Sequence, residues 1–396
     1  MISLLALLLW LALGLMLVPV LVLAVQVAAA WPRLGAAPLL TGRRPRVAVL
    51  IPAHNEAGGI VATLADLQPQ MQAGDRIVVI ADNCTDTTAV VARQAGAEVI
   101  ERTSATLRGK SYALDFGVRH LHADAPEVVM IVDADCQVAA GTIDRLGRMA
   151  LETGRPVQAR YLMHAPAGSG LMKKIAEFAW LVKNQVRPTG FWRLGLPCPL
   201  MGSGMAFPWS GISQADLASG HIVEDVKLGM DLARAGTPPL YCPHAHVSST
   251  FPSSAAGTAS QRTRWEHGHL GMIVAEGPTL LLASARRRQL GLFALALDLC
   301  VPPVALLCLI VLLLSALALV LALFTPVIGP LVLAAVALGL LGLAIIGSWW
   351  RFSRHILSAG DLAMAFLYVF WKIPVYLRFA VKRQVEWVRS QRDHEQ

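Results

Sequence analysis

The chain has 396 residues, of which 55% are hydrophobic and only 15% charged, against about 45–50% and about 25% in an ordinary soluble domain. Long apolar segments are therefore expected, and a mean hydropathy of +0.54 excludes a disordered, collagen-like or coiled-coil chain. The formal charge of +8 with a pI near 9.4 suits nucleic acid, an anionic membrane surface or an acidic small molecule, so the placement of the basic residues has to decide. The six cysteines (Cys84, Cys136, Cys198, Cys242, Cys300 and Cys308) form no C-x-x-C pair. Neither a disulfide framework nor a thiolate zinc site is indicated, and a reducing compartment fits.

Residues 1–31 read as an amino-terminal transmembrane helix. Positions 2–30 carry no charge, exceed the roughly 20 apolar residues that cross a bilayer, and lack the positive leader of a cleaved signal peptide. Arg33, Arg43, Arg44 and Arg46 follow, so the positive-inside rule places the next segment in the cytoplasm and the amino terminus outside. Residues 46–285 have globular composition. RVAVLIPA (46–53), DRIVVIAD (75–82), AEVIE (97–101) and EVVMIVDAD (127–135) read as buried strands, with helix-like stretches near 56–70, 85–95 and 109–122 between them. That alternation predicts an α/β fold with a doubly wound, mostly parallel sheet. Ligands of such sheets bind beyond the carboxyl ends of strands, where His54–Glu56, Asp82 and Asp133–Asp135 fall.

Hydrophobicity returns after Arg286-Arg287-Arg288. Residues 286–301, closed by Pro302-Pro303, read as an interfacial segment, and 302–350 as a transmembrane hairpin with runs at 303–324 and 327–348 split by Thr325-Pro326. Arg351 and Arg354 follow the hairpin, and Lys382, Arg383, Arg389 and Arg392 follow the apolar stretch 356–381. Both clusters favour the cytoplasm, and a span there would bury Asp361, Lys372 and Arg378 at membrane depth. Residues 356–396 are therefore read as an interfacial amphipathic segment with a basic cytosolic tail. Three spans result, with four as the alternative.

The chemistry-bearing residues cluster at predicted element ends. Asp133-Ala134-Asp135 closes a strand and suits a hard cation, Mg²⁺ or Mn²⁺, beside phosphate oxygens, although a lone D-x-D equally fits a solvated turn. Asp82, within ADNCTD, can accept from a nucleobase N–H or form a plain Asx turn, with Asp86 capping the next helix. His54-Asn55-Glu56 opens a helix, where Glu56 faces a phosphate site or only serves the helix dipole. Gly109-Lys110 starts another helix and offers a cation to a nucleotide or to solvent. Gly202-Ser203-Gly204 is a small-residue turn that admits close backbone approach. Glu224-Asp225 precedes a helical stretch as a capping pair or, at Asp225, as a base for an attacking hydroxyl. Gln261, Arg264 and Trp265 supply a guanidinium for a diphosphate and an indole face for a sugar or lipid, or else belong to a basic helix on a membrane surface. Cys242, His244 and His246, like His267 and His269, have ligand-like spacing but not the context of a zinc site. The sequences HExxH, GxSxG and GxxxxGK[ST] are absent, which weighs against hydrolase and P-loop readings.

The ordered set PAHNE, ADNCTD, GK, DAD, GSG, ED and QRTRW, followed by an apolar hairpin, resembles the membrane-embedded family 2 inverting glycosyltransferases of the GT-A fold, which include cellulose, hyaluronan and chitin-oligosaccharide synthases and ceramide glucosyltransferases. The resemblance covers about residues 46–270. It implies a cytosolic GT-A domain inserted between transmembrane helices of the inner membrane. It also implies that Asp82 contacts the uracil of a UDP-sugar, with His54 and Glu56 near the nucleoside and Lys110 near the phosphates. Asp133 and Asp135 would organise the diphosphate and its Mg²⁺ or Mn²⁺, and Asp225 would be the general base. Arg264 would hold the pyrophosphate, and Gly202, Ser203, Gly204, Glu224, Gln261 and Trp265 would meet the acceptor. Val223 stands where the family often has Thr, and His267 where Arg is common.

The implied activity is transfer of a sugar, with inversion, to a membrane-associated lipid or glycan acceptor by single or limited addition. A processive exopolysaccharide synthase and a catalytically silent nucleotide- or partner-binding membrane protein are the alternatives. The basic residues lie beside membrane segments with no aromatic-interleaved patch, so nucleic acid is not an expected partner. Membrane lipids are expected partners, and an oligomer is compatible with the sequence.

Overall fold

A computed structural model describes residues 2–252 and 255–381. In chain order, the first half contains α1 (Ile2–Ala30), β1 (Val47–Ala53), α2 (Ile60–Leu67), β2 (Arg76–Asp82), α3 (Thr88–Gln94), β3 (Glu98–Arg102), α4 (Lys110–Leu121), β4 (Val128–Ile131), β5 (Gln137–Val138), α5 (Thr142–Thr153) and β6 (Val157–His164). There follow α6 (Leu171–Leu181), a π-helical turn at Val182–Val186, α7 (Arg187–Arg193), β7 (Met205–Pro208), α8 (Trp209–Ile212), α9 (Glu224–Arg234), β8 (Leu240–Thr250) and α10 (Ala255–Arg287). The last part is helical: α11 (Leu290–Leu299), α12 (Val304–Phe324), α13 (Gly329–Ser348), α14 (Ala359–Trp371) and α15 (Ile373–Val381). The described residues divide into two compact units, one centred on the sheet (residues 34–167 and 196–268) and one helical (residues 2–33, 168–195 and 269–381).

The sheet has eight strands in the order β3-β2-β1-β4-β7-β6-β8-β5. β1 pairs in parallel with β2 and β4, and β2 with β3, so the first half is wound as the alternating apolar runs predict. Beyond β4 the pairing changes. β7 lies antiparallel to both β4 and β6, β5 is antiparallel to β8, and β6 and β8 run parallel. Both faces of the central strands are covered. Ala48, Leu50, Val78, Ile80, Val129 and Ile131 pack on α4 and α9 through Leu114, Val118, Leu121, Leu228 and Leu232, and Val47, Val49, Ile51, Val79 and Met130 are equally buried. Two-sided burial is why these strands read as continuous apolar runs without alternation.

Helix α2 begins at Ile60 after a turn in which the Glu56 carbonyl accepts from Gly59 and Ile60. Glu56 thus precedes the helix and is not in its first turn, contrary to the expectation. The left-handed backbone at Asn55, φ +55°, lets the chain turn away at the strand end.

In the helical unit α1 packs with α7, α11, α12 and α13, around a core that includes Val20, Leu23, Val27, Phe178, Leu307, Val311, Ala337 and Leu341. Gly190 on α7 approaches so closely that a Cβ there would stand 2.1 Å from the Gln26 carbonyl oxygen. Among the described residues four helices are long and apolar enough to cross a membrane: Leu4–Ala30, Val304–Phe324, Gly329–Ser353 and Ala359–Phe379. The first three coincide with the expected spans. The fourth falls in the stretch read as interfacial and is broken by a turn at Lys372, where α14 meets α15.

Candidate active site

The Asp133-Ala134-Asp135 segment is the centre of the site. Strand β4 stops at Ile131, so the two aspartates occupy a tight turn beyond the strand, where the Cys136 N–H donates to the Asp133 carbonyl at 3.2 Å. The expected alternation along a strand tip is therefore replaced by convergence: one ligand atom each from Asp133, Asp135 and Cys136 lies within 4.8 Å of the others. Two carboxylates at that spacing fit a divalent cation of oxygen preference. The Cys136 thiol adds a softer neighbour that sequence reasoning did not assign. Burial raises it well above the usual thiol range, with the two aspartates adding to the effect, so it stands as a neutral group. Its Sγ lies 3.2 Å from Ser203 Oγ, and Ser249 on β8 donates to Asp135 Oδ2 at 3.0 Å.

The Gly202-Ser203-Gly204 turn is built against this segment. The Asp133 N–H donates to Ser203 Oγ at 3.0 Å, and the Gly204 N–H to the Ile131 carbonyl at 2.9 Å. Gly204 has φ +68°, and a Cβ there would come within 2.8 Å of Val247, so only glycine fits. Gln158, fully buried on β6, holds the turn from behind. Its Nε2 donates to the Ser203 carbonyl at 2.9 Å and its Oε1 accepts from the Met201 N–H at 2.8 Å. Its identity as a supporting residue could have been found only from the strand pairing.

Lys110 opens α4, as the sequence predicts, and links three predicted groups. Its Nζ donates to Asp133 Oδ1 and, at 2.6 Å, to the Gly202 carbonyl. Burial alone would lower the ammonium's pKa, but Asp133, Glu224 and Asp225 hold it above the ordinary lysine range, so it is a permanent cation. Glu224 and Asp225 are the first residues of α9. A Cβ on Gly202 would lie 3.4 Å from Asp225 Oδ2 and 4.0 Å from Lys110 Nζ, which places the base candidate against the glycine turn. The Glu224 carboxyl is pushed up to about 7 by burial and by the charge of Asp225, against the pull of Lys110 and Arg264. Arg264 thus acts on the same cluster from α10. On that helix Gly268 sits so close to Val223 that a Cβ would meet its Cγ1 at 2.5 Å, which seats the QRTRW segment beside the Glu224-Asp225 pair. Gln261 and Trp265 are half-buried on the same helix.

A second group of predicted residues gathers at the ends of β1 and β2. His54 Nδ1 lies 2.6 Å from the Asp82 carbonyl oxygen. Asn55 exchanges hydrogen bonds with Thr85 at 2.9 and 2.7 Å, and the Glu56 N–H donates to Thr88 Oγ1 at 2.8 Å. Asp86 accepts from the Ala57 and Thr88 N–H groups at 3.2 and 2.9 Å, so it staples the two loops together. Burial raises its carboxyl, yet these bonds outweigh that effect and hold it below the ordinary aspartate range. Asp82, 6% exposed, pairs with Arg102 at 2.5 Å, and Arg102 in turn lies over the Tyr112 ring. Arg102 was not anticipated, because only the parallel register of β2 with β3 sets it opposite Asp82. Cys242, His244 and His246 lie on β8, and the His269 ring bonds to the Leu299 carbonyl at 3.0 Å.

With this geometry in hand, comparison with known proteins is specific about family. Residues 45–268, more than half of the chain, match the family described as "Glycosyltransferase like family 2", and the chain belongs to that family. Its sheet unit is a GT-A domain flanked by apolar helices. No curated protein matches the sequence significantly. Among solved structures, a mannosyltransferase from Pyrobaculum calidifontis in complex with GDP-mannose and Mn²⁺ is similar in fold, with a TM-score of 0.55 at 16% identity over 97% of this chain and 100% of its own. Glucosyl-3-phosphoglycerate synthase from Mycobacterium tuberculosis, in complex with Mn²⁺, UDP-glucose and phosphoglyceric acid, matches with a TM-score of 0.34 at 22% identity over 50% of this chain and 69% of its own.

Proposed function

We propose that the protein is an inverting membrane glycosyltransferase that transfers a sugar from a UDP-sugar to a membrane-associated lipid or glycan acceptor by single or limited addition. The observation that carries this reading is the meeting of Lys110, Asp133, the Gly202 turn and Asp225. A cation, a metal-type carboxylate turn and a second carboxylate are there within reach of one another, as displacement of a diphosphate by a hydroxyl requires. Asp225 takes the proton of the attacking hydroxyl. Lys110 and Arg264 face the negative charge that develops on the departing diphosphate. Asp82 and His54, with Glu56 beside them, receive the nucleoside, and Gly202, Ser203, Gly204, Glu224, Gln261 and Trp265 border the acceptor.

Asp133 and Asp135 would hold Mg²⁺ or Mn²⁺, which when bound supplies positive charge to the diphosphate oxygens. Mn²⁺ with a nucleotide sugar in the Pyrobaculum mannosyltransferase supports that reading, and its guanine nucleotide makes GDP-sugars the necessary control. The Q-x-x-R-W pattern of Gln261, Arg264 and Trp265 favours processive polymer synthesis as the second reading.

The proposed topology has residues 1–31 and the 302–350 hairpin spanning the inner membrane. It keeps 46–285 cytoplasmic and lays 286–301 and 356–381 along the interface. Labelling an engineered cysteine beyond residue 385 from outside intact cells would refute it. The functional test is nucleotide release by the purified protein in lipid, with UDP- and GDP-sugars and Mg²⁺ or Mn²⁺, followed by sizing of the product. A lipid bearing one sugar supports the leading reading, a long polymer supports the second, and no release with any donor refutes both.

A further inference from the structure

The helical unit gathers cations without counter-charges at one rim. In the sheet unit, arginines such as Arg43, Arg46 and Arg76 each face a carboxylate. The pattern differs where α1 ends and α13 runs on into a π-helical turn at Trp349–Ser353. A Cβ on Gly347 would stand 3.3 Å from the Trp31 ring, and Arg351 Nε donates to the Trp31 carbonyl at 2.9 Å, so the ends of the two apolar helices lie side by side. From α7, Arg193 Nη2 donates to the Pro32 and Arg33 carbonyls at 3.1 and 2.9 Å. Arg354, three positions after Arg351, stands over the Trp350 ring at 4.5 Å.

Fixing the chain that leaves α1 accounts for only part of this arrangement. It uses Arg193 Nη2 and Arg351 Nε, and both terminal nitrogens of Arg351 stay without a partner among the described residues. Positions 26–33, 187–195 and 345–355 contain no Asp or Glu, and none of Arg33, Arg193, Arg351 and Arg354 forms a salt bridge among the described residues. Like charges held together without a counter-charge repel one another, and an anion seated among them would remove that cost. The surroundings are those of a membrane interface. Trp31, Trp192 and Trp350 are exposed beside the arginines, as aromatic residues are at headgroup level. Leu21 and Val25 on α1, with Leu343 and Ile346 on α13, are exposed in the turns just before, so hydrocarbon chains would find apolar surface there.

We propose that Arg33, Arg193, Arg351 and Arg354 seat the headgroup of an anionic phospholipid of the phosphatidylglycerol type at the rim where α1 and α13 end. The open fork of Arg351 presents two N–H donors to the two free oxygens of a phosphodiester, and the other three cations add attraction to an anionic lipid surface. A lipid held in this way ties the ends of α1, α7 and α13 to one another. The inference rests on the reading that α1 and the 302–350 hairpin span a membrane. It is independent of the donor reading, because it shares no residue with the Lys110 cluster.

The test titrates the full-length protein in maltoside detergent with phosphatidylglycerol or phosphatidylcholine of the same chain length, and reads bound lipid and the thermal midpoint in the same samples. Phosphatidylglycerol should bind about tenfold more tightly or better and raise the midpoint saturably. The double variant Arg33→Gln, Arg354→Gln removes two charges and no hydrogen bond, and should lower that preference at least about fivefold. Arg193→Gln with Arg351→Gln should abolish it, with UDP affinity within twofold of wild type. Should that chain fail to fold, Arg351→Lys keeps the charge, loses the fork and should weaken phosphatidylglycerol binding severalfold. Equal binding of the two lipids, or a wild-type preference in the variants, overturns the proposal and leaves the membrane reading standing. Glycerol phosphate raising the midpoint as strongly as phosphatidylglycerol makes the site one for a soluble anion and likewise overturns it. Failure of the wild type to enter vesicles of either lipid refutes the membrane reading and this proposal with it.

Discussion

Each unit of the molecule holds a cation against a carboxylate, and the two pairs are built to opposite ends. In the sheet unit the Lys110 and Asp133 side chains are 20% and 26% exposed, and in the helical unit Arg187 and Asp298 are 6% and 9% exposed. The first pair stays in touch with water and can exchange partners when an anion or a cation arrives. The second is shut: the Arg187 guanidinium reaches Asp298 Oδ1 and the Asp298 carbonyl at 2.8 Å each and Gln26 Oε1 at 3.1 Å, while Gln26 Nε2 donates back to Asp298 at 2.6 Å. A closed network of that kind joins α1, α7 and α11 in the buried part of the helical unit, where an unsatisfied partner would be costly. Openness fits the pair proposed here to work on a ligand, and closure fits a pair that fixes helices.

The comparison breaks most sharply at Asp225. Replacing it by Asn keeps the size of the side chain and removes the base, so transfer should fall about 10²–10⁴-fold while UDP affinity stays near wild type. Product formation and equilibrium binding measured on one preparation check this, and a fully active Asp225→Asn protein removes the assignment. Next is the shut pair. Asp298→Asn leaves Arg187 buried without its counter-charge and should cost about 3–5 kcal/mol, read as a lower unfolding midpoint in detergent. Lys110→Gln, in the open pair, should cost less stability than Asp298→Asn, because water reaches Asp133, while weakening nucleotide binding at least tenfold. If the two substitutions destabilise equally, the contrast between open and shut pairs is wrong. A smaller effect belongs to Gly190→Ala, where the new methyl would meet the Gln26 backbone. Helix α7 must shift away from α1, at about 1–3 kcal/mol, with little change in nucleotide affinity.

How far these features were legible in the sequence differs along the chain in the same way. β1 to β4 and the helices between them follow from continuous apolar runs and polar breaks, because burial on both faces writes itself into local composition. The order of the motifs likewise placed Lys110, Asp133, Glu224 and Asp225 at element ends. The aspartate turn was misjudged because an apolar run does not reveal where a strand stops pairing; β4 ends when β7 leaves it at Met205. Gln158, Arg102 and Ser249 went unnoticed, since their partners are set by cross-strand register and not by spacing. The Arg187–Asp298 pair spans 111 positions, and nothing local to either residue announces the other.

Glu224 provides the finest test of the open site. Its carboxyl moves from an ordinary 4.5 to about 7 on folding, through burial and the adjacent Asp225. Between those two values the folded protein keeps a proton that the unfolded chain has released. Stability therefore falls as pH rises from about 4.5 to about 7 and levels off above that window. Glu224→Gln stays neutral throughout and should lose that slope. The histidines titrate in both proteins, so the difference between the two midpoint curves isolates Glu224. Curves that run parallel across the window would mean that water and Lys110 already keep Glu224 ionised. Its site would then be more open than the Asp225 side of the cluster requires.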